Sequence, residues 1–114
     1  MRKALVIKST GETEIVELPD DNSAEYELLK ETLQGWIQPV SLDQDLDGFV
    51  IWVNEEGKLE RLPINSKATK LWEISYGKTD IIVGNAIITG DSDNAGKVKG
   101  LTETEIQKLL SLVA

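Results

Sequence analysis

The run Phe49-Val50-Ile51-Trp52-Val53-Asn54 constrains this chain more than any other stretch. It is rich in β-branched and aromatic residues, the composition that suits a pleated, half-buried surface, and it follows a glycine. It reads as the strongest strand of the sequence. With Ile81 to Val83 it is also among the longest apolar runs, far below the eighteen or so residues that a membrane-spanning helix requires. The chain is therefore expected to build a sheet and not to enter a membrane. Glu55-Glu56-Gly57 offers turn chemistry at its end, so the polar-apolar run Lys58 to Leu62 is expected to return as the second strand of a hairpin.

The rest of the chain arranges itself around that strand. Lys3 to Lys8 and Glu12 to Leu18 are rich in β-formers and are separated by Ser9-Thr10-Gly11, which predicts a first hairpin. The N-terminus is basic and then apolar, but the apolar run stops at Lys8, so it reads as a strand and not as a signal peptide. Asn22, followed three residues later by Glu25, has the logic of a capping box. A helix is expected from about Ser23, with Ala24, Leu28, Leu29 and Leu33 on its apolar stripe and Gly35 as its left-handed cap. Trp36 to Leu42 reads as a strand that Pro39 confines to an edge, because proline cannot donate to a ladder. Pro63 closes the Lys58 to Leu62 strand, and Asn65 is expected to cap a helix of about two turns through Ala68, Leu71 and Trp72. Asp80 to Thr89, bent at Gly84, is expected to be the central strand. Thr102-Glu103-Thr104-Glu105 is a second capping box, opening a last helix with Ile106, Leu109, Leu110 and Val113 apolar. The expected fold is a single α+β domain over residues 1–114, mainly antiparallel sheet with two or three short helices, in the order ββα-βββ-α-β-α.

Composition removes several functions. The chain has no cysteine and no histidine, which leaves no thiolate, no disulfide framework, and neither of the side chains most used for transition metals and for proton transfer near neutral pH. An enzyme is not expected, nor a cofactor, and a reducing cytoplasm is the expected compartment. The net charge is −8, with 13 acids and 4 bases in residues 1–57 against 7 acids and 8 bases in residues 58–114. So negative a surface repels phosphates, so direct nucleic acid binding is not expected. Asp43-Gln44-Asp45-Leu46-Asp47-Gly48 spaces carboxylates as the first half of a calcium loop does, but the closing position is Asn54, and no metal site is assigned.

The chemistry singled out lies between Asn54 and Trp72. Lys58, Arg61, Lys67 and Lys70 surround the helix start at Asn65, and lysines beside helix N-terminal amides make an anion site. Asn54, Lys58, Arg61, Asn65, Lys67 and Trp72 are accordingly the candidate ligand-binding residues, with Trp72 as a stacking wall.

Gly35-Trp36-Ile37, Trp52 to Leu59, Leu62-Pro63 with Asn65, Ala68-Thr69 with Leu71-Trp72, Val83-Gly84, Thr89-Gly90 and Gly100-Leu101-Thr102 together resemble the domain of unknown function 3846 family of phages and bacterial mobile elements. The resemblance covers about residues 1 to 112 and brings no activity with it. What it implies is a setting, in which small proteins act on host components, defence systems among them, by binding. Two expectations follow. The first is a non-catalytic protein that captures a small anionic, nucleotide-like host molecule, either alone or as a homo-oligomer. The second is an acidic interaction protein, or DNA mimic, that blocks a nucleic-acid-binding host protein, with Glu12, Glu14, Glu17, Asp20, Asp21, Glu25 and Glu31 as its contact surface.

Overall fold

A computed structural model describes residues 1–114. The elements are β1 (Lys3–Ile7), β2 (Thr13–Glu17), α1 (Asn22–Leu33), β3 (Ile37–Ser41), β4 (Phe49–Asn54), α2 (Ser66–Tyr76), β5 (Ala86–Gly90) and α3 (Glu103–Val113), with a single 3₁₀ turn at Gln44–Leu46 between β3 and β4. The five strands form one sheet in the order β2-β1-β5-β4-β3, and every pairing is antiparallel. The α+β class is as the sequence predicts. β5, fully buried, occupies the centre.

Side chains alternate across each strand, so a sheet buried on both faces needs apolar residues at both parities. β1 supplies them. Leu5 and Ile7 join Ile51, Ile88, Leu71, Ile106 and Leu109 in a 15-residue core under α2 and α3, whereas Ala4 and Val6 join Leu18, Leu29, Leu33 and Ile87 in a six-residue core under α1. The result is three layers, with α1 on one face and α2 and α3 on the other. Trp52 belongs to the α1 face, where its indole N–H donates to the buried Thr89 hydroxyl at 2.9 Å.

The helix boundaries follow local chemistry with small shifts. α3 opens on the expected capping box: Glu105 N–H donates to the Thr102 hydroxyl and Thr102 N–H to the Glu105 carboxylate. The N-cap of α1 is Asp21, one residue before the expected Asn22; Asn22 instead accepts from Lys97 Nζ at 3.0 Å. Gln34, not Gly35, takes the left-handed conformation at the end of α1, with φ 61°. Gly35 is needed for a different reason, since a Cβ there would lie 2.6 Å from Asn54 Nδ2. α2 runs eleven residues, longer than the two turns expected.

β3 is an edge strand, as Pro39 requires. Leu42 N–H donates to the Phe49 carbonyl, so by alternation the even-numbered residues of β3 bond to β4 and the nitrogen of Pro39 faces the open edge, where no donor is missed. The expected strand Lys58 to Leu62 is not a strand. Residues 55–61 wind as successive turns, with Glu60 N–H donating to Glu56 O at 2.9 Å and Leu62 N–H to Gly57 O at 3.0 Å. β4 is already flanked by β3 and β5 and has no free side for a third partner. Its hairpin is with β3. The stretch Asp80 to Asn85 is likewise outside the sheet proper and makes one bridge, Val83 with Ile64, before Gly84 (φ 73°) turns the chain into β5.

Candidate functional site

A groove of about 260 Å³, lined mainly by apolar side chains, lies at the β3 end of the sheet, on the face that α2 and α3 cover. Its floor is set by strand alternation: Gln38 and Val40 on β3 and Ile51 and Val53 on β4 point to that side. Trp72 of α2 forms one wall, the end of β4 supplies Asn54, and the turn after it supplies Glu55, Lys58 and Leu59. Asp80, Ile81, Ile82 and Val83 complete the lining. Eight of the 13 lining residues are hydrophobic, so the groove offers mainly apolar contact.

Trp72 is held as a wall by two contacts. Its indole N–H donates to the Thr79 hydroxyl at 2.9 Å, and its ring lies 4.7 Å from that of Tyr76 at 46°. Tyr76 in turn donates its hydroxyl to the Ser41 carbonyl at the end of β3, which ties α2 to the edge strand. At the mouth Lys58 Nζ pairs with Asp80 and joins the 55–61 turns to the 80–83 stretch. The Lys58 ammonium, and next the Ile81 N–H at 2.8 Å, hold the Asp80 carboxyl below its ordinary 3.8, with burial opposing them slightly.

The six candidate residues separate into two groups. Asn54, Lys58 and Trp72 line the groove; Arg61, Asn65 and Lys67 do not. Arg61 is exposed, in the left-handed region at φ 56°. Asn65 is 1% exposed, its side chain bonded to Ile7 O, Gly84 O and Ala68 N–H, and so is a structural element inside the protein. Lys67 donates to Gly11 O at 2.8 Å, across to the β1–β2 turn. Even Asn54 turns its amide inward, to Leu33 O, Gln34 O and Glu60 Oε1. The expected cluster of cations around a helix start is thus not assembled. Lys58 alone reaches the groove, and it is already paired.

Of the sequence's other candidates, Asp43 caps the 3₁₀ turn through Gln44 N–H at 2.8 Å, and its neighbours form no group that would hold a metal ion. Of the seven acids expected on a contact surface, Asp21 caps α1, Glu25 pairs with Arg2 at 2.5 Å and Glu14 pairs with Lys8 at 3.8 Å. Ten of the 13 lining residues are not among the sequence's candidates, Gln38, Val40, Glu55, Leu59, Asp80 and Ile81 among them. Only the alternation of Gln38 and Val40 about Pro39 hints at a shared face.

The family model described as Domain of unknown function (DUF3846) matches residues 1–114, the whole chain. The chain belongs to this family. No curated protein and no solved structure matches it. Membership of the DUF3846 family therefore gives the groove no chemistry, and its own residues must supply the functional reading. No helix is long and apolar enough to cross a membrane.

The Lys58–Asp80 pair carries a prediction. Both side chains are about half exposed, so the pair contributes well under about 1 kcal/mol to stability after solvent screening. A carboxyl whose folded-state pKa is depressed adds stability above its ordinary value and loses it as pH falls through the lowered one. Asp80→Asn is therefore expected to destabilise only slightly at neutral pH, with the difference from the parent closing well below pH 3.8. Urea unfolding at both pH values measures this. A large loss at neutral pH would show that the pair holds the turns in place.

Proposed function

We propose that the chain is a non-catalytic binding module that takes a compact, mainly apolar group into the groove between β3, β4 and α2. The observation that carries this is the lining, an aliphatic floor with one tryptophan wall and a single paired cation. At about 260 Å³ it lies just below the usual range of small-molecule sites, roughly 300–1,000 Å³, and so suits a ring or a side chain better than a whole nucleotide. The nucleotide-like ligand expected from the sequence keeps a place here through its planar base alone, since its anionic part would meet Glu55 and an already neutralised Lys58. A non-catalytic reading is supported by the lining, whose only ionisable groups are Glu55 and the half-exposed Lys58–Asp80 pair.

On this reading the phage or mobile-element setting implied by the family resemblance belongs to the same proposal. The domain would act in the host cytoplasm, counter-defence included, by occupying a host component. The absence of cysteine supports that compartment. The second reading, an acidic interaction surface, is favoured by the exposure of Glu12, Glu14, Glu17, Asp20 and Glu31. Binding through that surface would fall steeply with salt.

The groove reading is tested with fluorotryptophan-labelled protein, in which Trp36, Trp52 and Trp72 give separate ¹⁹F signals. N-acetylphenylalaninamide and adenine serve as probes. Titration is expected to move the Trp72 resonance and leave in place that of Trp36, which lies outside the groove lining with its ring 4.8 Å from Lys30 Nζ of α1. Val53→Phe, which fills the floor, should abolish the shift. Shifts at Trp36 alone, or persistence in Val53→Phe, would place binding elsewhere.

A further inference from the structure

Around this groove stand aliphatic side chains that water should not be left to cover. Leu59 and Ile81 line it and yet are 83% and 44% exposed. Ile64, 56% exposed, is bridged to the lining residue Val83. Scattered surface leucines are ordinary, but two exposed aliphatic residues lining one depression, with a third bridged to its wall, are a feature that suits a protein contact. A free molecule held inside about 260 Å³ would fill the hole and leave Leu59 and Ile64 in water. A chain segment with one buried anchor would cover both.

Charge then decides among segments. The lining carries Glu55, Asp80 and Lys58, and Lys58 is neutralised by Asp80, so Glu55 is the uncompensated charge. Glu56 follows it on the same exposed turn, and the whole chain carries −8. An acidic flank is repelled and a basic one attracted. A second copy of this chain would bring the same acidic rim against itself.

We infer that the groove receives an apolar anchor, aromatic or large aliphatic, from a partner protein segment that carries lysine or arginine on either side of it. This rests on the groove reading above and names its occupant. Leu59 and Ile64 close over the segment, and Glu55 meets its basic flank.

Three probes separate the alternatives: a short peptide with a central phenylalanine flanked by lysines, its glutamate-flanked counterpart, and N-acetylphenylalaninamide. Binding is followed by amide chemical shifts of the full chain. The lysine-flanked peptide is expected to bind about tenfold or more tighter than either other probe at low salt. Leu59→Ser and Glu55→Gln, both at exposed positions, should each weaken it several-fold while moving the amide's affinity much less. If the amide binds the groove and the lysine-flanked peptide is no tighter, this inference fails and the groove reading stands. If no probe binds, both fail. A tighter glutamate-flanked peptide would overturn the charge argument. Sedimentation showing a dimer that Leu59→Ser dissociates would give the groove to a second copy and overturn it too.

Discussion

Replacing Asn65 with alanine is expected to lower the unfolding free energy by about 3–5 kcal/mol, although the residue lies outside the groove lining. Its side chain makes three internal bonds: Nδ2 donates to Ile7 O at 2.8 Å and to Gly84 O at 2.9 Å, and Oδ1 accepts from Ala68 N–H at 3.0 Å. The last of these is the N-cap of α2, for which alanine typically costs about 1 kcal/mol. The other two join β1 to the turn before β5 in the interior, and each carbonyl left without its donor costs about 1–3 kcal/mol. Against a total stability of roughly 5–15 kcal/mol this is a large fraction, and Tm should fall by roughly 12–20 °C. Asn65→Asp separates the two roles. It keeps the cap acceptor but turns a carboxylate oxygen towards two carbonyls, so it should be at least as damaging at neutral pH. Protonation restores a donor, so part of that loss should return on acidification. Thermal unfolding at two pH values reads both effects, and a loss below about 1 kcal/mol for Asn65→Ala would refute the interior role.

That residue also shows what a linear reading gives and withholds. Asn65 as a helix start is legible because capping acts over three residues, and the same locality made the Thr102–Glu105 box and the edge position of Pro39 legible. Its donors are not, because their acceptors lie 58 and 19 residues away. Lys58 to Leu62 has the look of a strand, yet whether a strand forms depends on an unoccupied neighbour, and β5, from the far end of the chain, has taken that side of β4. The groove is hidden for the same reason. Its lining comes from β3, from β4 and its turn, from α2 and from the 80–83 stretch, and only the sheet order brings them together. The basic residues near Asn65 are close in sequence and diverge in space: Lys67 turns to Gly11 while Lys58 turns to Asp80.

Asn54→Ala should remove binding at the groove although its amide faces inward, by releasing the turn that carries Lys58 and Leu59. Asn54 is buried, and its Nδ2 reaches Leu33 O at 3.1 Å, Gln34 O at 3.3 Å and Glu60 Oε1 at 2.9 Å, while Oδ1 accepts from Glu56 N–H at 2.8 Å. One side chain thereby fastens the C-terminus of α1 to β4 and fixes both ends of the 56–60 turn. Loss of these bonds is expected to cost about 2–4 kcal/mol in the unliganded protein. A residue that only touched ligand would leave that stability unchanged. Gly35→Ala attacks the same junction from the other side, because its Cβ would lie 2.6 Å from Asn54 Nδ2 and would push the amide off its acceptors. The two substitutions should not add. Once Asn54 is alanine, the space its amide filled can accept the methyl at position 35, so the double variant should be less destabilised than the sum of the singles by about 1 kcal/mol or more. Chemical denaturation of the four proteins of this cycle measures the coupling. Strict additivity would mean that Gly35 and Asn54 act independently, and that the close approach is not what requires glycine there.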